Sequence, residues 1–185
     1  MQLLTDRLLI RPIEAADWPA VRDIWAALAP LPMAQYDKPF DTRPESVQPR
    51  IARWAEYTAL GTAHMFFAVC LQSHSGRQPV ENQPKAVGYV AFNQRDDGHE
   101  IGYSFHPAHH GKGYAREALS ALLAHLQERG FTRFSAGTAL NNTPSVRLLT
   151  ALGFRLIGTE QVSFYKDAQG RDIVFEGGIF ELVLE

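Results

Sequence analysis

The sequence predicts an α/β (α+β) fold: a mixed sheet of about seven strands with helices on its faces. Three observations carry this. The patterning runs β-α-α-β-β-β-α-β-α-β-β along the chain. Consecutive strands in its middle imply antiparallel pairing, because short connections join antiparallel neighbours. Strand, helix and strand across 99–138 form a crossover unit, which makes one pair parallel.

The elements follow in order. "RLLIRPI" (7–13) reads as a strand. "DWPAVRDIWAAL" (17–28) reads as a helix, with Asp17 as N-cap, Pro19 in the first turn, and Val21, Ile24, Trp25 and Leu28 at helical spacing. "APLPMAQYDKPFDTRP" (29–44), rich in proline and aromatics, reads as a loop. A second helix covers roughly 45–60, its start blurred by Pro49, which would break an interior turn. "AHMFFAVCLQ" (63–72) is a strand, and "SHSGRQPVENQPK" (73–85) a polar, exposed hairpin loop, long for its type. "AVGYVAFN" (86–93) and "HEIGYSF" (99–105) are further strands. In "AREALSALLAHLQERG" (115–130), Ala115, Ala118, Leu119, Leu122, Leu123 and Leu126 form one apolar helical face, and Gly130 ends it. "FTRFSAGTAL" (131–140) is a strand. "TPSVRLLTALG" (143–153) is a short helix with Thr143 as N-cap, Pro144 at its first position and Gly153 closing it. Two strands near 154–166 and 172–184 flank the turn "DAQG".

A chain of 185 residues with 45% apolar content fits one domain, 1–185, and buries roughly 70% of its unfolded surface without staples. The single cysteine, Cys70, excludes an intramolecular disulfide and argues against a cysteine metal site. In "MFFAVCL" it reads as a small buried hydrophobe. The opening "MQLLTDRLLI" carries Asp6 and Arg7 and no long apolar core, and no 18-residue apolar run is present, so a cytoplasmic protein is expected. The net charge is −2 and the charges are dispersed. Without a basic stripe, neither nucleic acid nor a membrane is the expected partner, and a small or peptide-like ligand fits better. A homodimer is left open.

"SFHPAHHGKGYAREAL" (104–119) departs from this generic picture. Gly111 and Gly113 flank Lys112 where a strand gives way to a helix. Helix starts carry unsatisfied N–H groups and partial positive charge, and glycine lets a backbone close on a ligand. His110, Gly111, Lys112, Gly113, Tyr114 and Ala115 therefore read either as a pyrophosphate cradle or as a plain turn. A Walker-type loop fails because Tyr114 follows Gly113. A dinucleotide fingerprint fails at Arg116.

Strand "EIGYSFHP", loop "HHGKGYAREAL" and helix "NTPSVRLLTALGF" together resemble the GNAT superfamily of acetyl-CoA-dependent N-acetyltransferases. The opening "LLTDRLLIRPIEAADWPAV" is similar to its RimJ/RimL-like branch, which includes acetyltransferases of ribosomal protein N-termini. The likeness covers nearly the whole chain in order and spacing. It departs at His110, where the family carries glutamine or arginine, while Gly113 and Ala115 match. The 73–85 insertion is longer than the family needs.

The resemblance implies a mostly antiparallel sheet whose central strands, 99–105 and 131–138, splay around acetyl-CoA, a co-substrate used without a metal. The amides of 110–115 would meet the pyrophosphate. The edge of the strand ending at Phe105 and His106 would pair with the pantetheine arm, an N–H of one of them would polarise the thioester carbonyl, and Asn142 would hold the arm from the other strand. The acceptor amine must be neutral to attack. A lysine-like amine is neutral in roughly one molecule in 2,500 at pH 7, and an α-amine in about one in ten, so a base helps the first class more. Glu100 is the candidate base, sharing one strand face with Gly102 and Ser104 opposite Ile101, Tyr103 and Phe105. A substrate-ammonium anchor or a solvated strand-end charge are its alternatives. Ser145 matches the serine that RimL-like enzymes use to protonate the leaving thiolate, the alternative being a helix-start serine bonding backbone. Tyr165 is a second candidate acid.

His106, His109 and His110 lack a carboxylate partner in sequence, and no zinc site is expected. Trp18, Trp25 and Trp54 read as core, and Trp54, Tyr36 and Phe40 could line an acceptor pocket between the first two helices. The competing functions are a catalytically silent acyl-CoA-binding module and a nucleotide-binding domain. Segment 29–60 is expected to decide the acceptor.

Overall fold

The computed structural model of the chain describes residues 1–61, 63–72, 84–96 and 98–185. Its strands are β1 (Leu3–Leu4), β2 (Leu8–Pro12), β3 (His64–Leu71), β4 (Ala86–Arg95), β5 (Gly98–Phe105), β6 (Arg133–Ala139), β7 (Arg155–Lys166) and β8 (Asp172–Val183). The helices are α1 (Trp18–Leu28), α2 (Pro44–Leu60), α3 (Tyr114–Glu128) and α4 (Thr143–Ala151). All strands join one 8-stranded sheet in the order β1-β2-β3-β4-β5-β6-β8-β7. Its pairs are antiparallel except β5 with β6, the crossover pair joined through α3. The expected count of about seven rises because Leu3–Leu4 adds a two-residue edge strand to β2.

The strands alternate with period two, and the alternation sorts side chains into two cores. Leu8, Ile10, Met65, Phe67, Val69, Val90, Phe92, Ile101, Phe134 and Ala136 pack with α3 and α4. Leu9, Phe66, Ala68, Cys70, Tyr89 and Ala91 pack on the opposite face with α1 and α2. Each core aliphatic or aromatic side chain contributes about 1.5–3 kcal/mol on burial. Cys70 is fully buried and its thiol is pushed up to about 11, mainly by that burial.

Several local expectations need correction. Asp17 stands at the N-cap of α1 but makes no side-chain cap bond. Its carboxylate takes a bidentate ion pair from Arg11 (2.7 and 2.8 Å) and the Glu14 N–H (2.8 Å), stronger partners than an open helix start. The N-cap of α4 is Asn142, not Thr143; the Asn142 side chain accepts the Ser145 N–H (3.4 Å). Pro49 lies inside a continuous α2, near enough to its start that one carbonyl, that of Glu45, loses its helical donor. The loop 29–44 contains a 3-10 turn at Pro32–Tyr36. The hairpin loop expected over 73–85 lies outside the described residues except Pro84 and Lys85, and Lys85 pairs with Asp23 of α1 (2.6 Å).

Candidate active site

The two crossover strands part company early. β5 and β6 pair at His99↔Phe134 and Glu100↔Ser135, and beyond that point they diverge while β5 runs on to Phe105 and β6 to Ala139. Each is held from outside: β5 by β4 as far as Gly88↔Phe105, β6 by β8 as far as Ala139↔Gly177. The splay expected from the resemblance is therefore present. The His106 N–H donates to Val87 O (2.8 Å), which sets the ladder's alternation. Gly102, Ser104 and His106 turn their backbone groups to β4, while Tyr103 and Phe105 turn theirs into the gap. His106 is thus removed as a thioester donor, and the Phe105 N–H is left.

Past Phe105 the chain turns through Pro107–His109 and enters α3 by way of Gly111 (φ 71°) and Gly113 (φ 80°). Both angles are left-handed. A Cβ at Gly111 would meet nothing within 4 Å, so conformation and not space demands that glycine, whereas a Cβ at Gly113 would also lie 3.3 Å from Arg7 Nη2. Gly113 is the N-cap of α3, which leaves the first-turn amides of Tyr114 and Ala115 without helical acceptors. Arg7 braces the loop from the N-terminal segment. It donates to Lys112 O (2.9 Å), lies over the Tyr114 ring (4.8 Å) and pairs with Glu117 (2.6 Å). Burial works to raise the Glu117 pKa, but bonds from Thr5 and Arg7 outweigh it and hold the carboxyl below its ordinary range. Sequence reading missed Arg7 because its partner lies 110 residues away.

His110, the departure from the family pattern, has a structural role: its Nε2–H donates to Phe105 O (2.7 Å), tying the cradle to the end of β5. His106 Nδ1 accepts the Ala108 N–H (3.2 Å). His109 Nδ1 is buried without a hydrogen-bond partner among the described residues, and burial, then Lys112, His106 and His110, lower its pKa. Among the described residues no group of three or more His, Cys, Asp or Glu is set to hold a metal ion.

At the other side of the gap α4 begins. Ser145, half-buried in its first turn, shares a 2.7 Å hydrogen bond with the Tyr103 hydroxyl of β5. Tyr103 spans the gap on the α3/α4 face, and burial raises its pKa against the lowering effect of the Ser145 bond. Sequence reading left Tyr103 unassigned. Alternation put it opposite Glu100, but nothing local showed that α4 would bring Ser145 to it. Tyr165 sits near the tip of the β7–β8 hairpin opposite Ile173, and no hydrogen bond among the described residues joins it to Ser145. Glu100 lies at the closed end of the gap, about 16 Å along the strand from Phe105. It is ion-paired to Arg95 and flanked by Asn93 and Ser135.

The α1/α2 face of the gap has a small-residue floor. Gly102 and Gly137 share it, and a Cβ at Gly137 would meet nothing within 4 Å. Residues 36–40 cross above it as a strap. At one end Phe40 stacks on Trp25 (4.9 Å), whose indole N–H donates to Tyr89 Oη of β4 (2.9 Å). At the other end Tyr36 Oη accepts from Asn141 Nδ2 (2.6 Å) and the Tyr36 ring sits edge-on to Phe175 of β8 (5.2 Å). The expected aromatic lining between the first two helices is therefore divided. Trp54 and Phe40 pack into the core around Trp25, and Tyr36 alone reaches the far wall.

The profile of the acetyltransferase (GNAT) domain matches residues 7–155. The curated N-acetyltransferase p20 of Bacillus licheniformis, itself uncharacterised, is 35% identical over 100 residues. The match takes in 50% of this chain and 53% of p20, so the chain spans about half the length of that relative. YnaD of Bacillus subtilis (strain 168), also an uncharacterised N-acetyltransferase, is 28% identical over 163 residues, 85% of each chain. The crystal structure of a Salmonella typhimurium acetyltransferase that modifies the N-terminal serine of ribosomal protein L7/L12 superposes with a TM-score of 0.78 at 16% identity. It covers 98% of this chain and 97% of that one, a likeness of fold.

Proposed function

The chain belongs to the acetyltransferase (GNAT) family, and from that membership we propose that it is an acetyl-CoA-dependent acyltransferase acting on an amine, its residues dividing the work as follows. Acetyl-CoA enters the gap from the α3/α4 face and the amine from the α1/α2 face. The amides around Gly111, Gly113, Tyr114 and Ala115 take the pyrophosphate, with Lys112 adding positive charge. The edge of Tyr103 and Phe105, which no strand pairs and where only Phe105 O is engaged by His110, takes the pantetheine arm, and the Phe105 N–H polarises the thioester carbonyl. Asn142, whose Oδ1 caps α4, keeps its amide N–H groups for the same arm.

The observation that carries this reading is the early end of β5–β6 pairing, which leaves a strand edge free between a glycine cradle and a hydroxyl pair. The amine nitrogen bonds to the thioester carbon, the carbon–sulfur bond breaks, and one proton passes from amine to thiolate. Ser145 supplies the thiolate proton, and Glu100, paired to Arg95 about 16 Å along β5 from Phe105, would act on the amine only through a chain of waters. Ser145 is favoured over Tyr165 because, among the described residues, it is Ser145 that shares a hydrogen bond with Tyr103 of β5. A cytoplasmic setting and an acceptor other than nucleic acid or lipid belong to the same proposal. The net charge of −2 and the lack, among the described residues, of a helix long and apolar enough to cross a membrane support them.

The test is calorimetric titration with CoA beside a thiol-release assay on a panel of amines and peptides. Binding at micromolar or tighter affinity with turnover of at least one acceptor is expected. CoA binding with no turnover on any acceptor would instead support the silent acyl-CoA-binding module.

A further inference from the structure

The N-terminal segment grips the glycine loop from outside the gap. Arg7 immediately precedes β2, and β2 stands three places from β5 in the sheet. The Arg7 side chain makes three attachments to one short stretch. Nη1 donates to Lys112 O (2.9 Å), and Cζ lies over the Tyr114 ring (4.8 Å to its centroid). Nε donates to Glu117 Oε2 (2.7 Å), with Nη2 2.6 Å from the same oxygen. The other carboxylate oxygen is held too, by the Thr5 hydroxyl (2.5 Å) and the Arg7 backbone N–H (3.1 Å). An ion pair whose arginine side chain is 44% exposed adds little to stability. Its consequence is positional.

Lys112 lies between Gly111 (φ 71°) and Gly113 (φ 80°). Glycine takes either sign of φ at little steric cost, so the loop's own sterics do not fix the peptide plane between Lys112 and Gly113. Arg7 fixes it from outside. That peptide is planar and trans, so its carbonyl and its N–H point in opposite directions. Drawing Lys112 O to Arg7 therefore sends the Gly113 N–H the other way. Among the described residues the N–H groups of Gly111, Lys112 and Gly113 have no backbone acceptor, which leaves them for water or a ligand.

Resting on the acetyl-transfer reading, we propose that Arg7 is a positioning residue for the co-substrate: by holding Lys112 O it aims the Gly113 N–H at the CoA pyrophosphate. Glu117 and Thr5 hold Arg7 in place for that task, and Arg7 acts through the loop without meeting the phosphates. An arginine suits the position because its rigid fork serves Lys112 O and Glu117 at once.

The experiment titrates CoA calorimetrically into wild type, Arg7→Lys, Arg7→Ala and the double variant Arg7→Ala/Glu117→Gln, with melting to show that each is folded. In Arg7→Ala the CoA Kd should rise about 10- to 100-fold, the loss of a charge-assisted bond that orders a phosphate donor. Arg7→Lys keeps the charge but not the fork, and should also bind CoA more weakly than wild type. The double variant removes the carboxylate left bare in the first turn of α3, and should stay as weak as Arg7→Ala. With any amine that wild type acetylates, KM for acetyl-CoA should rise in step, while kcat at saturation and KM for the amine hold. An unchanged CoA Kd in Arg7→Ala or in Arg7→Lys overturns the assignment. So does recovery of wild-type affinity in the double variant, which would trace the loss to repulsion by Glu117. A fall in kcat with KM for acetyl-CoA unchanged overturns it as well. Should Arg7→Ala fail to fold, Arg7→Lys carries the test. Failure of wild type to bind CoA overturns the acetyl-transfer reading itself, and the inference with it.

Discussion

The Tyr103–Ser145 hydrogen bond gives a sharp test of how the thiolate is protonated. If Ser145 gives its proton to the thiolate, its oxygen must receive one from Tyr103, and the 2.7 Å contact is ready for that. Burial raises the Tyr103 pKa, so the phenol stays protonated and available as donor through the neutral range. A neutral hydrogen bond contributes about 0.5–1.5 kcal/mol net, and one that strengthens as charge develops contributes about 1.5–3 kcal/mol. Tyr103→Phe removes the donor and little volume, so kcat should fall about 10- to 100-fold. Ser145→Ala removes the acid itself and should cost about 100-fold or more. Because Tyr103 acts through Ser145, the double variant should be no slower than Ser145→Ala alone. Thiol release under saturating acetyl-CoA measures each kcat, and KM for acetyl-CoA and melting temperature serve as controls. Multiplying losses in the double variant would show that the two hydroxyls act independently. An unchanged kcat in Ser145→Ala would remove the serine from the chemistry altogether.

Two further outcomes bear on the supporting structure. Gly113→Ala places a Cβ at φ 80°, 3.3 Å from Arg7 Nη2. The left-handed strain of about 1–2 kcal/mol should distort the cradle and weaken CoA binding about tenfold by calorimetry; lost stability with unchanged CoA affinity would make the loop a plain turn. Arg11→Ala leaves Asp17, 8% exposed, without its bidentate partner. It should cost about 3–5 kcal/mol in urea unfolding, and adding Asp17→Ala should recover part of that. A loss below about 1 kcal/mol would mean that water reaches the carboxylate.

Much of this protein is legible in its sequence because local patterns follow local physics. The period-two strands sort side chains to two faces, the leucine stripe of α3 faces one core, and the paired glycines mark left-handed backbone before a helix. These patterns yield the mixed sheet, the crossover and the tight glycine turn into α3. The failures are equally physical. Thr143 satisfies the local rule for an N-cap, yet Asn142 takes the cap, and Asp17, though it holds the N-cap position of α1, gives its carboxylate to Arg11 and not to the helix. Histidine at 110 departs from the family motif, and its ring donates to Phe105 O, a partner that local sequence does not reveal.

What the sequence determined alone is the architecture, which rests on spacing within single elements and their order; the reaction class came from its resemblance to the GNAT family. What tertiary structure decided is which groups meet across the gap. Ser145 reaches Tyr103, Tyr36 reaches Asn141, and Arg7 reaches Glu117. The reason is that strand pairing and helix formation are near-neighbour interactions, whereas the site joins residues from separate elements. Its charge balance depends on which arginines and lysines the fold has already committed elsewhere.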